Sequence, residues 1–384
     1  MKKFLQAFPL RLSIILGILV GIAIMFLSYF NLLGGLERAA YDMRFAYRGS
    51  VEPADKILII GITDDCLEEL GRWPWDRDTH AQLIEVLTEG KPAAIGIDII
   101  LSEPTQQQWM DQALVAATEA AVNNSVSVVY PVSAPPTVST TPGFLTPTFY
   151  STPFEELRAV SQSGFINVTP DVDGILRKAL LWMEYEGKPI PSFDLLLWAA
   201  AQDITPAELQ AHLDYYFSTS TNQLTLGDSN FSLDAGGRTL INYAGPPNSF
   251  PVLPYHLVLD GAYPSSTFED AIILVGTYTS GIHDYYFSPY AKDTPMFGIE
   301  VHANILHTLL KAGPITSVSL VLNLAIVFLL AFGSMFLYQA VRPVWGFGCL
   351  VLMAGVYYFT TWQLFDNSAI YTETIYPLLA LTSS

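Results

Sequence analysis

Acidic and phenolic side chains stand at the ends of apolar segments that have the composition of buried strands. Asp64 and Asp65 follow the segment KILIIGIT, Asp98 lies in AAIGIDII, and Tyr278 follows AIILVG. Because the carboxyl ends of parallel strands border the ligand crevice in open α/β sheets, these groups are predicted to meet in one polar pocket. The alternative is that the aspartates cap loops and helices.

A second cluster combines aromatic and basic side chains. The segment GRWPWDRD contains Trp73 and Arg77 on either side of another tryptophan. Such a cluster can bind a carboxylate or the face of a sugar. It can equally form a packed turn that seals an edge of the sheet, with Arg77 paired to a carboxylate, and we favour this structural interpretation.

The segment PDVDG contains Asp171 and Asp173 and begins like a calcium-binding loop. The third carboxylate of such a loop is missing, and Trp182 stands where the loop needs its terminal glutamate. An EF-hand is therefore excluded. The segment is predicted to form a turn, with Arg177 as a candidate charge partner.

No residue pattern commits the chain to catalysis. The six histidines show no H-x-x-x-H spacing, and the two cysteines lie in segments of different character. His283 and Asp284 would form a catalytic pair only beside a nucleophile, and no G-x-S-x-G occurs. We predict no catalytic residue, no metal site and no cofactor. The predicted ligand-binding residues and their charge partners are Asp64, Asp65, Trp73, Arg77, Asp98, Asp171, Asp173, Arg177, Tyr278 and Asp284.

The elements that must position these groups alternate between strand and helix. The strand-like segments KILIIGI, AAIGIDII and SVSVVYPV are separated by helical patterns over residues 79–89 and 111–122. Residues 176–186 alternate in polarity and are predicted to be a strand. A helix is predicted over residues 190–201, and LINYAG and AIILVG are predicted to be late strands. This alternation is typical of an α/β domain with a mainly parallel sheet flanked by helices.

Apolar segments at both ends of the chain predict membrane-spanning helices. Residues 12–33 carry no charge, and further apolar runs cover residues 318–338 and 344–362. About 20 helical residues cross the hydrocarbon core of a bilayer. The last ten residues, 375–384, are mostly apolar and are predicted to begin a fourth span that continues beyond Ser384.

The basic residues predict the orientation in the membrane. Lys2, Lys3 and Arg11 precede the first span and Arg342 lies between the second and third, whereas Asp366 and Glu373 follow the third. By the positive-inside rule residues 1–11 are cytoplasmic and residues 34–314 are exported, in a bacterial cytoplasmic membrane. The net charge of −18 argues against nucleic acid as a partner.

A series of motifs resembles the second family of CHASE domains, which are extracytoplasmic sensors associated with cyclases and kinases. The resemblance covers residues 37–314 and the layout of one helix before the domain and three after it. The motifs, in chain order, are YDMRF, IIGITDDCLEELGRWPWDRDTHAQLIEVL, IGIDIILSEP, GFINVTPDVDGILRK, NYAGPPNSFP, AIILVGTYTSGIHDYYFSP and MFGIEVHANILHTLL.

The resemblance implies a sensory input region that detects an extracytoplasmic stimulus, such as a small molecule. It also implies a relay to a cytoplasmic adenylate or guanylate cyclase, histidine kinase or Ser/Thr kinase. Cyclases and kinases of these classes generally act in pairs, so we expect a homodimer, with Leu36, Ala40, Met43 and Tyr47 as a plausible contact. The alternatives are a membrane-anchored hydrolase using a metal at Asp64, Asp65 and Asp98, and a transport subunit.

Overall fold

The structure is a computed structural model that describes residues 10–134, 136–138, 145–147, 150–219, 223–234, 236–282, 284–291, 293–341 and 343–383. The chain divides into two compact units. One unit, the outer domain, comprises Ser50–Pro314, and the other, the terminal unit, combines Met1–Gly49 with Ile315–Ser384. The orientation argument uses Lys2, Lys3 and Arg342, which lie outside the described residues.

The described residues form α-helices and short strands along the whole chain, with a 3₁₀ turn at Ser265–Phe268 and a π-helical turn at Thr308–Ala312. The α-helices are α1 (Leu10–Tyr29), α2 (Gly34–Arg48), α3 (Asp64–Leu70), α4 (Arg77–Glu89), α5 (Gln108–Asn123), α6 (Glu155–Val160), α7 (Phe193–Ala201), α8 (Pro206–Thr219), α9 (Tyr255–Leu259), α10 (Gly298–His307), α11 (Leu320–Ala340), α12 (Pro343–Ser368) and α13 (Ile375–Ser383). The strands are β1 (Ile57–Ile62), β2 (Ala94–Ile97), β3 (Ser127–Val132), β4 (Pro136–Val138), β5 (Leu145–Pro147), β6 (Gln162–Phe165), β7 (Lys178–Leu180), β8 (Trp182–Tyr185), β9 (Lys188–Pro191), β10 (Gln223–Leu226), β11 (Ser229–Ser232), β12 (Arg238–Leu240), β13 (Val252–Pro254), β14 (Ile272–Thr277), β15 (Tyr285–Tyr286), β16 (Met296–Phe297), β17 (Thr316–Ser317) and β18 (Ile370–Tyr371).

A six-stranded sheet forms the centre of the outer domain, in the order β13-β1-β14-β2-β3-β6. Every neighbouring pair in it is parallel. Strand β14 lies between β1 and β2 in the sheet, although it follows them by about 200 residues in the sequence. The prediction of a mainly parallel sheet is confirmed.

Helices cover both faces of this sheet. Helices α4, α5 and α9 pack together on one face, over a core that includes Ile60, Leu83 and Val275. Helices α7 and α10 pack on the other face, where Gly96 of β2 meets the side chains of Phe193 and Leu197 directly. A Cβ at Gly96 would collide with both side chains, so glycine lets α7 approach the end of β2 closely.

Three sequence predictions differ from the structure in detail. Only Leu240, the first residue of LINYAG, belongs to a strand. That strand, β12, pairs with β7 in a short ribbon and does not join the main sheet. Ile190 belongs to β9, and the helix begins at Phe193, where the Ser192 hydroxyl caps it by accepting from the Leu195 amide at 3.1 Å. The alternating run over residues 176–186 is divided between β7 and β8.

The terminal unit contains two helices that are long and apolar enough to span a membrane. The qualifying segments are Leu320–Leu337 and Val344–Ser368, and a third span is possible if Gly17–Tyr29 and Gly34–Arg48 count as one. The segments Gly17–Tyr29 and Gly34–Arg48 meet at an angle of 76°. The helical spacing of Leu36, Ala40, Met43 and Tyr47 predicts that this segment extends the first helix outward. That prediction is wrong, since the turn at residues 30–33 redirects the chain.

Helix α2 groups with the terminal helices, not with the outer domain. Its buried side chains include Glu37, Arg44 and Phe45, and Phe45 packs edge-on against Phe365 of α12 at 5.2 Å between ring centroids. The compact outer domain therefore begins at Ser50, after α2.

Candidate functional site

A cavity of about 710 Å³ opens at the carboxyl edge of the central sheet. Its lining includes the residues that follow three neighbouring strands: Asp98 after β2, Ser133 after β3, and Ile166 with Asn167 after β6. Thr277, the last residue of β14, completes this edge. The cavity therefore occupies the position at which open α/β sheets bind ligands.

Asp98 lies on the floor of this cavity. The alternation of side chains along β2 points Ile97 toward the α4–α5 core and Asp98 toward α7 and α10. Burial raises the pKa of Asp98 to about 7; His302 opposes this shift, and Asp284 and Asp194 add to it. In the described part of the chain the Asp98 carboxyl accepts no hydrogen bond, so it is available to a ligand.

His302 and Asp194 form an ion pair beside Asp98. Nδ1 of His302, on α10, lies 2.9 Å and 3.0 Å from the two carboxylate oxygens of Asp194, in the first turn of α7. Burial by itself would lower the pKa of His302, but Asp194, with smaller contributions from Asp98 and Asp284, raises that pKa to about 9. The imidazole therefore carries a proton on each nitrogen at neutral pH.

The second nitrogen of His302 is directed at the cavity. His302 is only 4% exposed and lines the cavity, yet Nε2 has no hydrogen-bond partner among the described residues. Because Asp194 holds Nδ1, the Nε2–H group is a fixed donor for whatever occupies the cavity.

Asp284 supplies a second carboxylate to the cavity. It lies against the first turn of α10, where the Gly298 amide donates to the Asp284 carbonyl at 3.0 Å. A Cβ at residue 298 would collide with the Asp284 carboxylate, so this close approach requires glycine. Burial, followed by the charges of Asp284 and Asp98, raises the pKa of the nearby Tyr286 to about 12.

Aromatic rings form another wall of the cavity. Trp73 and Trp75 pack edge to face with their ring centroids 5.2 Å apart, and both line the cavity with His80. Burial, together with the charge of Arg77, lowers the pKa of His80 to about 4, so His80 is neutral near pH 7.

Arg77 also lines the cavity, but its guanidinium is already engaged. It donates to the carboxylate of Asp111 and to the carbonyl of Glu103, and it lies 4.6 Å from the ring centroid of Phe154. This is the paired arrangement that the structural interpretation of GRWPWDRD described. The positive charge of Arg77 is balanced within the protein.

Asp64, Asp65 and Tyr278 do not line the cavity in the described part of the chain. Asp64 and Asp65 follow β1, and β14 separates β1 from β2, so about 10 Å of sheet lies between these ends. The Asp64 carboxylate accepts a hydrogen bond from Thr279. Tyr278 places its hydroxyl 2.9 Å from Oδ1 of Asn248 and 3.1 Å from Oε2 of Glu300.

Asp171, Asp173 and Arg177 form a separate closed turn. Nη1 of Arg177 lies 2.7 Å from Asp171 and 2.8 Å from Asp173, and Gly174 has a φ of 80°. The Gly174 amide donates to the Asp171 carbonyl, as in a tight turn. Of the residues predicted to bind a ligand, the structure therefore brings Trp73, Arg77, Asp98 and Asp284 together and places the others elsewhere.

Sequence reasoning missed His302 and Tyr286, which line the cavity, and Asp194, which pairs with His302. Asp194 and His302 are 108 positions apart and lie on different helices, and neither has the spacing of a catalytic or metal-binding motif. Among the described residues no group of three His, Cys, Asp or Glu side chains has the arrangement of a metal site. The one usable signal for His302 is a histidine among the mostly apolar residues of the helical segment IEVHANIL.

The fold is an α/β domain with a parallel central sheet and a cavity at its carboxyl edge, in a chain that also contains apolar helices. The chain belongs to the CHASE2 domain family, whose family model matches residues 17–336. This match confirms the family resemblance seen in the motifs. CHASE2 domains are sensory domains found outside the cytoplasm. Searches of the curated proteins and of the solved structures gave no match.

Proposed function

We propose that this chain is the sensory input region of a transmembrane receptor that binds an extracytoplasmic solute in the cavity and relays its presence across the membrane. The observation that carries the proposal is that the cavity at the carboxyl edge of the sheet contains two polar groups, the Asp98 carboxyl and Nε2 of His302. Neither group has a hydrogen-bond partner among the described residues. The proposed relay partner is a cytoplasmic cyclase or kinase. The proposed location is a bacterial cytoplasmic membrane, with a cytoplasmic N-terminus.

The membership in a sensory family supports a binding function without turnover. A metal hydrolase built on Asp64, Asp65 and Asp98 would need these carboxylates to share one ion. The strand order keeps Asp64 and Asp65 away from Asp98, because β14 lies between the strands that carry them. We therefore favour the sensor over the hydrolase.

A buried polar network within the terminal unit supports the relay. The carboxylate of Glu37, on α2, accepts hydrogen bonds from the Thr374 and Ile375 amides at the start of α13. It also accepts from the Tyr371 hydroxyl at 3.0 Å. Glu37 thus supplies the partners that the first amides of α13 would otherwise lack.

Arg44 makes a second connection one to two turns further along α2. Its Nη2 donates to the Thr372 carbonyl at 2.7 Å and to the Thr374 hydroxyl, and its guanidinium lies 4.8 Å from the ring centroid of Tyr371. Since α2 leads through Gly49 directly into the outer domain at Ser50, a movement of α2 would be passed to the start of α13.

The relay can be tested without knowing the ligand by tethering an occupant in the cavity. In the full chain in lipid nanodiscs, with Cys66 and Cys349 replaced by serine, Ser133→Cys is modified with a benzyl thiosulfonate reagent. We expect amide hydrogen exchange in the peptide that contains Thr374 and Ile375 to change severalfold, because the Glu37 contacts shift with α2.

Two variants make this test specific. The same reagent on Asp228→Cys, in the exposed β10–β11 turn, should leave exchange at Thr374 and Ile375 unchanged. Glu37→Gln should abolish the response to the Ser133 tether, since the amide accepts only one of the two backbone donors well. Identical exchange with and without the Ser133 tether would contradict the proposed relay.

We further propose that the receptor is a homodimer in which α2 contacts its counterpart. Leu36, Met43 and Tyr47 are 57%, 48% and 61% exposed, while the opposite side of α2 is buried against the terminal helices. Together with Ala40, these exposed side chains form the apolar stripe that the sequence suggested as a dimer contact. Symmetric pairs are the commonest oligomers and would cover the stripe.

Cysteine cross-linking in membranes tests the dimer. In the same cysteine-free background, Met43→Cys should give a disulfide-linked dimer on mild oxidation, because its side chain points away from the chain's own helices. Tyr41→Cys, at a position that is 3% exposed, is the matched control and should stay monomeric. Equal, low cross-linking at both positions would contradict a dimer through this face.

A further inference from the structure

The charges of the cavity are unbalanced in favour of carboxylates. Arg77 is neutralised by Asp111, and His302 is neutralised by Asp194. Asp98 and Asp284 face the same space, and in the described part of the chain no cation is paired with either carboxylate. Asp76 lies at the rim and adds a further negative charge. The cavity therefore attracts a cation.

The shape and the walls of the cavity select the kind of cation. A volume of about 710 Å³ is far larger than a bare metal ion needs and lies in the range of organic ligands. Trp73 and Trp75 offer aromatic surface, which attracts organic ammonium groups. The described residues contain no grouping of three metal-ligating side chains.

The hydrogen-bond donor that His302 presents to the cavity adds a second requirement for the ligand. Nε2–H of His302 needs an acceptor, and the dyad with Asp194 holds it in place near Asp98. An oxygen atom on the ligand, a few bonds from its ammonium group, would meet this donor. A hydroxyl or a carboxylate would serve equally well.

We propose that the cavity binds a small organic amine in its ammonium form, held between Asp98 and Asp284, with an oxygen of the same ligand accepting from His302. The inference rests on the proposed sensory function and names the chemical class of its ligand. The aromatic wall formed by Trp73 and Trp75 contacts the apolar part of the amine.

Binding of an ammonium group requires the ionised form of Asp98. The groups that face Asp98 are Asp194 from α7, His302 from α10, and Asp284 and Tyr286 from the segment between β14 and β16. With its pKa raised to about 7, Asp98 is partly protonated near neutral pH, so amine binding releases a proton. Affinity for the amine therefore rises as pH rises from about 6 to about 8.

Calorimetric titration of the full chain in nanodiscs tests the proposal with three matched probes. Phenylalaninol has an ammonium, a hydroxyl and an aromatic ring, phenethylamine lacks the hydroxyl, and phenylethanol lacks the ammonium. We expect phenylalaninol to bind best, phenethylamine roughly tenfold more weakly, and phenylethanol at least tenfold more weakly again, since hydrogen bonds to charged groups contribute about 1.5–3 kcal/mol.

Variants assign each part of the ligand to a residue. Asp98→Asn should weaken phenylalaninol at least tenfold and abolish the proton release, measured as the difference in heat between two buffers of unlike ionisation enthalpy. His302→Gln should reduce the preference for phenylalaninol over phenethylamine. Asp228→Asn, with the same charge change in an exposed turn, should bind like the unmodified chain. Circular dichroism confirms that each variant is folded.

Three results would overturn the amine assignment: phenylethanol binding as tightly as phenethylamine, unchanged amine binding in Asp98→Asn, or competition by magnesium at concentrations below those of the amines. Failure of the amine leaves the sensory proposal standing if the tethered occupant at Ser133 still changes exchange at Thr374 and Ile375. If neither experiment gives a response, the sensory proposal fails with it.

Discussion

Asp194→Ala is expected to lower the free energy of unfolding of the outer domain by about 3–5 kcal/mol. The substitution leaves the His302 imidazole buried without its ion-pair partner, and such uncompensated charges are strongly destabilising. The pKa of His302 should fall below about 9, because burial then acts without Asp194 and only Asp98 and Asp284 still raise it. Denaturant unfolding measures the first effect, and NMR titration of nitrogen-labelled histidine measures the second.

Asp228→Ala is the matched control for Asp194→Ala. It removes a carboxylate from an exposed turn and should change the free energy of unfolding by no more than about 0.5 kcal/mol. A loss below about 1 kcal/mol for Asp194→Ala, with the pKa of His302 still near 9, would show that another group holds the imidazolium.

Asp98 and His302 are each expected to lower the stability of the outer domain as pH rises, in the window that the raised pKa of each sets. The folded-state pKa of Asp98 is raised to about 7 from 3.8, and that of His302 is raised to about 9 from 6.5. In its own pH window each group binds more protons in the folded chain than in the unfolded chain, so its contribution to the free energy of unfolding decreases with pH. Asp98 acts between about pH 4 and 7, and His302 between about pH 6.5 and 9.

Each of these two groups should contribute on the order of 3 kcal/mol over its window. His80, whose pKa is lowered to about 4, and Asp234, whose pKa is also lowered, act in the opposite direction below about pH 6.5. The difference between the unmodified chain and Asp98→Asn therefore isolates Asp98. Asparagine does not ionise, so the variant should gain relative stability from about pH 4 to 7 and no more above it. A constant difference over that range would contradict a raised pKa for Asp98.

The central sheet was predictable because its strands are buried on both faces. KILIIGI, AAIGIDII and AIILVG are almost wholly apolar, and parallel strands covered by helices on both faces require this composition. The sheet-edge strands β6 and β13 were missed, since QSGF and VLP are too short and mixed in composition to show a pattern. The helices α4 and α5 were visible from their apolar periodicity.

The candidate site was predictable in part, for a topological reason. Asp98 ends a strand, and any aspartate at the end of a parallel strand lies at the ligand-binding edge. The same reasoning selected Asp64 and Asp65, which lie elsewhere because β14 pairs between β1 and β2. Strand order depends on pairings between segments about 200 residues apart, and local composition does not show which distant segments pair.

The sequence by itself determined the α/β class, the apolar helices at both ends of the chain and the family, because composition, periodicity and motif order are local properties. Only the tertiary structure decided which side chains share the cavity. Asp194 meets His302, and Arg77 meets Asp111, because helices α7, α10, α4 and α5 pack on particular faces of one sheet. Such contacts arise from packing between distant segments, and the pKa values of Asp98 and His302 follow from that packing.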